Sequence, residues 1–323
     1  MNAPVVEGRF RGERVALVWG GLSNERQVSD WTAQAVEKAL VERGYEVVKI
    51  DAGRDLAQRL AEVQPAVVFL ALHGTYGEDG RIQGLLDWMG LPYTGDGLLA
   101  SALAMDKGIA KRLMRDAGVS VLPDVVWRKD RPQSDRPTVG ALPFDLPVVV
   151  KPIADGSSVG VSFAQTEAEF EKALDDCEAH PAVLVEPLVQ GTELSVACLG
   201  NRALGVVEIA PERVFYDYTA KYLGGGTAYH LPPRVSEEAA QQATALGFEA
   251  HSALGCSGLT RTDIILTAEG MVVLEVNTLP GMTPSSLVPK IANAIGLSFP
   301  DLIEVLLDRA QYARELQAPG GAS

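Results

Sequence analysis

The sequence predicts a mixed α/β protein, with a parallel α/β domain first and an α+β part built on antiparallel strands after it. Two observations carry this. Between residues 14 and 72, three apolar runs alternate with helical patterns, the rhythm of a parallel sheet whose crossovers are helices. From residue 146 onward, strand-like runs are joined by Gly- and Ser-rich turns, which suit antiparallel neighbours. The 323 residues, 47% of them hydrophobic, suffice for two or three domains with a substantial core.

The bulk numbers also exclude partners. A net charge of −14 opposes nucleic acid or an anionic membrane, because phosphate surfaces are bound through excess Lys and Arg. No apolar run approaches the ~20 residues of a membrane span. The opening MNAPVVEGRFRGER lacks the apolar centre of a secretory signal, so a cytoplasmic location is expected. Cys177, Cys198 and Cys256 lie far apart without metal-type spacing, as reduced buried thiols would.

In chain order, Arg14–Trp19 (RVALVW) reads as a buried strand and Gly20-Gly21-Leu22-Ser23 as a turn. Ser29 suits the N-cap of a helix running to Gly44. Residues 45–51 give a second strand, 55–63 a helix, and 66–72 (AVVFLAL) a third strand. Functional loops of such a domain follow the strand C-termini. Gly20-Gly21 lacks the GxGxxG spacing, so a plain tight turn is the simpler reading there, with Glu25 and Arg26 just beyond it. Residues 73–84 (HGTYGEDGRIQG) hold four glycines in twelve positions and read as a loop that approaches something closely. His73 at its head suits either a structural hydrogen bond or a role in chemistry.

The first domain closes near residue 100, and a helix over 101–118 follows, with Asp106 as a cap beside Lys107. Residues 128–145, rich in Pro, Asp and Arg, read as an exposed excursion. A strand over 146–151 (LPVVVK) ends in Lys151 and enters PIADGSSVG, whose N–H groups and hydroxyls suit phosphate oxygens; a bare hairpin tip is the alternative. Thr166-Glu-Ala-Glu169 is a capping box opening a helix to 179. Strands at 183–186, 193–200 and 203–210 lead to YDYTAKYLGGG (216–226), a long glycine-ended loop of the kind used as a lid. Ser236 caps a helix to Gly255, and helices near 285–295 and 299–314 finish the chain.

The chemistry concentrates in residues 259–286, LTRTDIILTAEGMVVLEVNTLPGMTPSS. Arg261, Asp263, Glu275 and Asn277 occupy odd positions, whereas the even Ile264, Leu266, Val272, Leu274 and Val276 are apolar. Alternate strand residues share a face, so one face is core and the other polar. A hairpin turn at Glu269-Gly270 sets Asp263 opposite or diagonal to Glu275 and Asn277. Two carboxylates and an amide oxygen suit a hard divalent cation such as Mg²⁺, with positions open for phosphate oxygens. An ordinary half-exposed hairpin with charges facing water is the alternative.

Seven segments, GGLSNERQVS, HGTYGEDGRIQG, MDK, KPIADGSSVGVS, EP…GTE, YDYTAKY and RTD…EVNTLPGMTPSS, together resemble the D-alanine–D-alanine ligase family of the ATP-grasp superfamily. The resemblance runs from about residue 15 to 307. It implies an N-terminal Rossmann-like domain (1–102), then an ATP-grasp fold of two subdomains (103–190 and 191–323), in a cytoplasmic homodimer serving peptidoglycan synthesis. ATP, two Mg²⁺ ions (or Mn²⁺) and D-alanine are the implied ligands. Asp263, Glu275 and Asn277 would hold the metals. Lys107 and Lys151 would hold the phosphates, with Ser158 in the turn covering them. Glu186, Pro187, Leu188 and Val189 would meet adenine, and Glu193 the ribose. Glu25 would hold the first substrate's ammonium group with His73 nearby, and Ser157 and Tyr222 would link Glu25 to the lid. Lys221 would neutralise charge in phosphoryl transfer. Arg261 and the Gly281 N–H would stabilise the tetrahedral oxyanion, and Ser286 and the Leu287 backbone would bind the second carboxylate.

Departures are few. Asp30-Trp31-Thr32-Ala33 stands where the family often has Leu followed by a Ser/Thr-Gly pair, which affects the expected helix start, and Arg26 stands where some members have His. D-serine or D-lactate as second substrate is the alternative within the superfamily, and Tyr222 favours an amine. A non-catalytic nucleotide binder fits poorly with an intact set of metal and phosphate residues.

Overall fold

The computed structural model describes residues 3–154, 160–211 and 226–312. Ser157, Ser158, Lys221 and Tyr222 lie outside these residues, as does most of the expected lid loop.

Strands β1 (Arg14–Trp19), β2 (Glu46–Asp51) and β3 (Val67–Leu70) form a parallel sheet in the order β2-β1-β3, connected by helices α1 (Arg26–Glu42) and α2 (Leu56–Val63). Helices cover both faces, so Val15, Ala16, Leu17 and Val18 are all buried despite pointing alternately to opposite sides. Helix α1 begins four residues earlier than expected, with Glu25 rather than Ser29 at the N-cap position. Ser29 is not a cap. Its buried hydroxyl accepts from the Gly20 N–H at 2.7 Å and donates to the Ala71 carbonyl at 2.5 Å, tying together the ends of β1 and β3. The glycine-rich loop also ends sooner than expected, because α3 (Arg81–Met89) starts immediately after Gly80. The helix expected over 101–118 is two helices, α4 (Leu98–Met105) and α5 (Lys107–Asp116). Asp106 separates them: its backbone is extended and its carboxylate caps α5 by accepting from the Ile109 N–H at 3.0 Å.

Strands β4 (Val125–Arg128), β5 (Val148–Pro152), β6 (Ser162–Ala164) and β7 (Ala182–Pro187) form an antiparallel sheet ordered β4-β7-β5-β6. The capping box of Thr166 and Glu169 starts α6 (Glu167–Asp176), whose Phe170 and Leu174 pack with Trp127, Val150 and Val183 into a core belonging to this sheet alone. Residues 129–147 run outside it with two short 3-10 turns.

A third sheet has the order β10-β9-β8-β11-β12, built from β8 (Thr192–Leu199), β9 (Arg202–Pro211), β10 (Thr227–His230), β11 (Leu259–Leu266) and β12 (Met271–Asn277). Helix α7 (Glu237–Ala253), capped by Ser236 as expected, packs on it. Helices α8 (Leu287–Ala294) and α9 (Phe299–Asp308) lie between this sheet and the first one. One hydrophobic core therefore joins Leu17, Val36 and Phe69 to Ala197, Ile291, Leu302 and Ile303.

A clasp at the other side of β11 completes the frame. Buried Asp96 accepts from the Ser257 and Gly258 N–H groups at 2.5 and 2.7 Å. A Cβ on Gly258 would lie 2.4 Å from the Gly95 carbonyl carbon, so only glycine allows the two backbones this close. Asp96→Ala should orphan two N–H groups at ~1–3 kcal/mol each and lower the thermal midpoint read by circular dichroism, whereas Asp96→Asn keeps an acceptor and should lose less. A native-like melt for Asp96→Ala would refute the clasp.

Candidate active site

The polar face of the β11–β12 hairpin is the centre of the site. The strands pair Arg261 with Asn277 and Asp263 with Glu275, so the four side chains stand together as the alternation predicts. The alternation then fails. A register shift follows Asp263, pairing Ile264 with Val273 rather than Leu274. A β-bulge of this kind moves later residues of one strand to the other face. The buried face is accordingly Ile264, Val273 and Val276, while Val272 and Leu274 are only half-buried, contrary to the expected even-numbered face.

Asp263 is bound on every side. Arg261 donates to both of its oxygens at 2.9 and 2.7 Å, Ser195 on β8 donates at 2.7 Å, and the Asn277 amide lies at 3.4 Å. Glu275 has Lys107 at 3.4 Å, so each carboxylate has a cation beside it. Glu193 lies two residues before Ser195 on β8, opposite Ile265, and so shares this face.

The described residues hold no cluster of three or more His, Cys, Asp or Glu side chains fit for a metal. Asp263 and Glu275 are two hard oxygen donors, directly opposed, and Asn277 is a third beside them. Such a set fits a Mg²⁺ ion that takes the rest of its shell from water and phosphate.

Lys151, at the end of β5, lies 2.5 Å from one oxygen of Glu186 on β7, and Lys111 on α5 lies 2.6 Å from the other. Burial alone would raise the Glu186 carboxyl, but Lys151 and Lys111 outweigh it and hold the group below its usual value. The Glu186 side chain thus belongs to a lysine cluster, leaving only backbone groups of this strand end for the expected adenine contact. The Leu188 N–H is taken by the Pro147 carbonyl at 2.9 Å. Pro187 closes β7, and Val189 follows it outside the sheet.

Across the cleft, the loops after β1 and β3 hold each other. Ser23 donates to the His73 carbonyl at 2.7 Å, and a Cβ on Gly74 would lie 2.4 Å from the Glu25 carboxylate. That close approach is what the glycine-rich loop provides. Buried His73 lies 3.0 Å from the Thr32 hydroxyl. Burial pushes its imidazole down to about 4, against a hydrogen bond with the Leu279 backbone, so it is neutral near pH 7. Glu78 accepts from the Gly74 N–H at 2.9 Å. Loss of water around it, then the charge of Glu25, push its carboxyl up to about 8.

Beside Arg261 lies a cavity of about 280 Å³ lined by Trp31, Tyr229, Arg261, Gly281, Ser286 and Leu287, among others; Glu25 and His73 are not among its lining residues. Ser286 occupies the N-cap position of α8 but does not cap it; its hydroxyl accepts from the Thr283 N–H at 3.1 Å. The first N–H groups of a helix have no partner within it and carry partial positive charge, so this end of the cavity suits a carboxylate.

The described residues therefore bring Arg261, Gly281, Ser286 and Leu287 to one cavity, with Asp263, Glu275 and Asn277 on the same hairpin face as Arg261 and Lys107 against Glu275. Lys111, Glu78 and Tyr229 are among the participants that escaped the sequence reading. Lys111 follows Lys107 by four positions on one helix face, a spacing that marks it as a neighbour. Glu78 lay inside the glycine-rich loop without a distinguishing pattern, and Tyr229 lay at the margin of the lid loop.

Family descriptions match two parts of the chain: residues 113–308 match the D-ala D-ala ligase C-terminus and residues 52–96 the D-ala D-ala ligase N-terminus. A D-alanine–D-alanine ligase of Anaeromyxobacter dehalogenans is 49% identical over 93% of this chain and 98% of its own. One from Geotalea uraniireducens is 47% identical over 93% and 96%. Among solved structures, a D-alanine–D-alanine ligase from Bacillus anthracis superposes with a TM-score of 0.80 at 33% identity, covering 92% of this chain and 96% of that one. The VanG D-Ala:D-Ser ligase from Enterococcus faecalis gives 0.79 at 29% identity, over 92% and 98%. With the match extending over nearly the whole of both chains, the protein belongs to the D-alanine–D-alanine ligase family.

Proposed function

We propose that the protein joins two D-alanines at the expense of ATP, releasing ADP and phosphate, as a step toward peptidoglycan precursors. The observation that carries this is the single cavity combining Arg261, the Gly281 backbone and the α8 N-terminus beside the acidic hairpin face. A carboxylate is a poor acyl donor because oxide would have to leave. Transfer of the γ-phosphoryl group gives an acyl phosphate, whose phosphate leaves when the second amine attacks. Positioning and charge stabilisation supply most of that catalysis.

Each described residue has a part. Glu25 holds the ammonium group of the first D-alanine, and neutral His73 contributes a hydrogen bond without adding charge. Lys107 and Lys151 hold phosphate oxygens. Arg261 and the Gly281 N–H stabilise the oxyanion of the tetrahedral intermediate, each such donor contributing ~2.7–4 kcal/mol by general precedent. Ser286 and the Leu287 N–H hold the second carboxylate. Pro187, Leu188 and Val189 face adenine, and Glu193 the ribose. Asp263, Glu275 and Asn277 would hold two Mg²⁺ ions, or Mn²⁺, which would neutralise phosphate charge. The roles of Ser157, Ser158, Lys221 and Tyr222 rest on the family resemblance, which makes them parts of a phosphate-covering turn and a closing lid. We place the domain boundaries after residues 102 and 190.

A cytoplasmic homodimer completes the reading. Trp88 on α3 is 92% exposed, and Leu99 on neighbouring α4 is 67% exposed, two large apolar side chains suited to a second copy. Trp88→Glu should shift the sedimentation of a dimer toward monomer; no change would leave this face without that role.

Incubation with ATP, Mg²⁺ and D-alanine should release ADP and a product with the mass of D-alanyl-D-alanine. D-serine or D-lactate as acceptor should give less product; preference for either would replace D-alanine as second substrate. Asp263→Ala and Glu275→Ala should each cut turnover by at least ~100-fold while keeping a native circular dichroism spectrum, because both side chains face away from the core. Unfolding at room temperature would instead make them structural.

Glu78 predicts a pH dependence. Its carboxyl is raised from 4.5 to about 8 in the folded protein, so the native state binds that proton more tightly than the unfolded chain does. The associated stability is complete below pH 4.5 and lost as pH rises toward 8. Melting of the ligand-free protein should show Glu78→Gln gaining on the native chain between pH 5 and pH 8, by the sign of that linkage. A constant difference across this range would refute it.

A further inference from the structure

Lys111 is among the most deeply buried side chains of the protein, at 1% exposed. Burying an ammonium costs several kcal/mol unless partners compensate, and a Met of similar shape would avoid that cost. Its partner is Glu186, whose two oxygens are divided between Lys111 and Lys151. Asp124 lies farther from Lys111, at 3.9 Å, and is itself paired with Arg115 at 2.6 Å. The cluster of Lys111, Glu186 and Lys151 therefore carries one positive charge in excess. Lys151 also senses Glu275 on the hairpin, which places that excess beside the acidic face.

We propose that Lys111 is a positioning residue for ATP: by holding one oxygen of Glu186, it keeps that carboxylate from neutralising Lys151, which stays available to phosphate. The inference rests on the reading of Lys151 as a phosphate ligand. Alone with Lys151, Glu186 would form a closed one-to-one ion pair in a poorly solvated place, and ATP would have to break it. Shared between two lysines, Glu186 orients both while cancelling only one. Lys151 stands out in the sequence at a strand end before a Gly/Ser turn, whereas Lys111 reads as one more charge on a helix.

The test is steady-state kinetics of the full chain with ATP, Mg²⁺ and D-alanine. Lys111→Met should raise KM for ATP by roughly tenfold or more, with a smaller change in kcat and little in KM for D-alanine. Adding Glu186→Gln to Lys111→Met should recover part of the loss, because the competing anion is then gone. Lys151→Met should also raise KM for ATP. If it does and Lys111→Met does not, the proposal is wrong and the reading of Lys151 stands. If neither variant moves KM for ATP, Lys151 is not a phosphate ligand and both fall. Should Lys111→Met fail to fold, Glu186→Gln is compared with the double variant. Equal KM values for ATP are expected, since Lys111 acts through Glu186, and a further rise in the double variant would overturn the proposal.

Discussion

Two carboxylates directly opposite one another on adjacent strands repel unless something positive stands between or beside them. The pairing of Asp263 with Glu275 sets this condition, and much of the cleft answers it. Arg261 covers Asp263, Lys107 reaches Glu275, and Ser195 adds a neutral donor from the next strand. Lys151 feels Glu275 from the central sheet and is itself governed by Glu186. A chain with net charge −14 can bind a polyanion only by such local arrangement, with its cations gathered at one place. The same compensation holds the ligand-free cleft together and would be exchanged for metal and phosphate contacts when nucleotide arrives.

The frame around this face is made of backbone contacts more than of side-chain pairs. The Ser29 hydroxyl joins the ends of β1 and β3, the Gly74 backbone lies against Glu25, and Gly258 lies against Gly95. Each removes freedom from a loop at the cleft. Substrate groups then meet partners that are already in place, which is where much of the advantage of an enzyme over solution chemistry originates.

Most of the architecture was legible in the sequence because it rests on periodicity and capping. The three parallel strands, the capping box at Thr166 and Glu169, the Ser236 cap and the hairpin with its four polar residues all stand where the pattern puts them. Some of the misreadings share a cause: a local signal was overridden by a distant partner or by a shift in register. Ser29 resembles a cap in sequence but is engaged by Gly20 and Ala71. Leu274 has the parity of a core residue, but the bulge gives its place to Val273. Lys111 drew no reading from the sequence, and only the approach of β7 to α5 reveals the buried carboxylate it meets. A single sequence records none of these tertiary encounters.

The core shared by the first sheet and the last two helices bears on how the chain assembles. The core on one face of the β2-β1-β3 sheet, begun by α1, is completed by residues near 300, and Glu304 on α9 accepts hydrogen bonds from both Arg11 and Tyr45. During synthesis the N-terminal third emerges first yet lacks that cover until almost the whole chain has been made. The central sheet, by contrast, closes its own core from residues between 125 and 185. Contacts spanning nearly the full sequence are slow to form because a long loop must close first. The middle of the chain is therefore expected to become ordered before its beginning does.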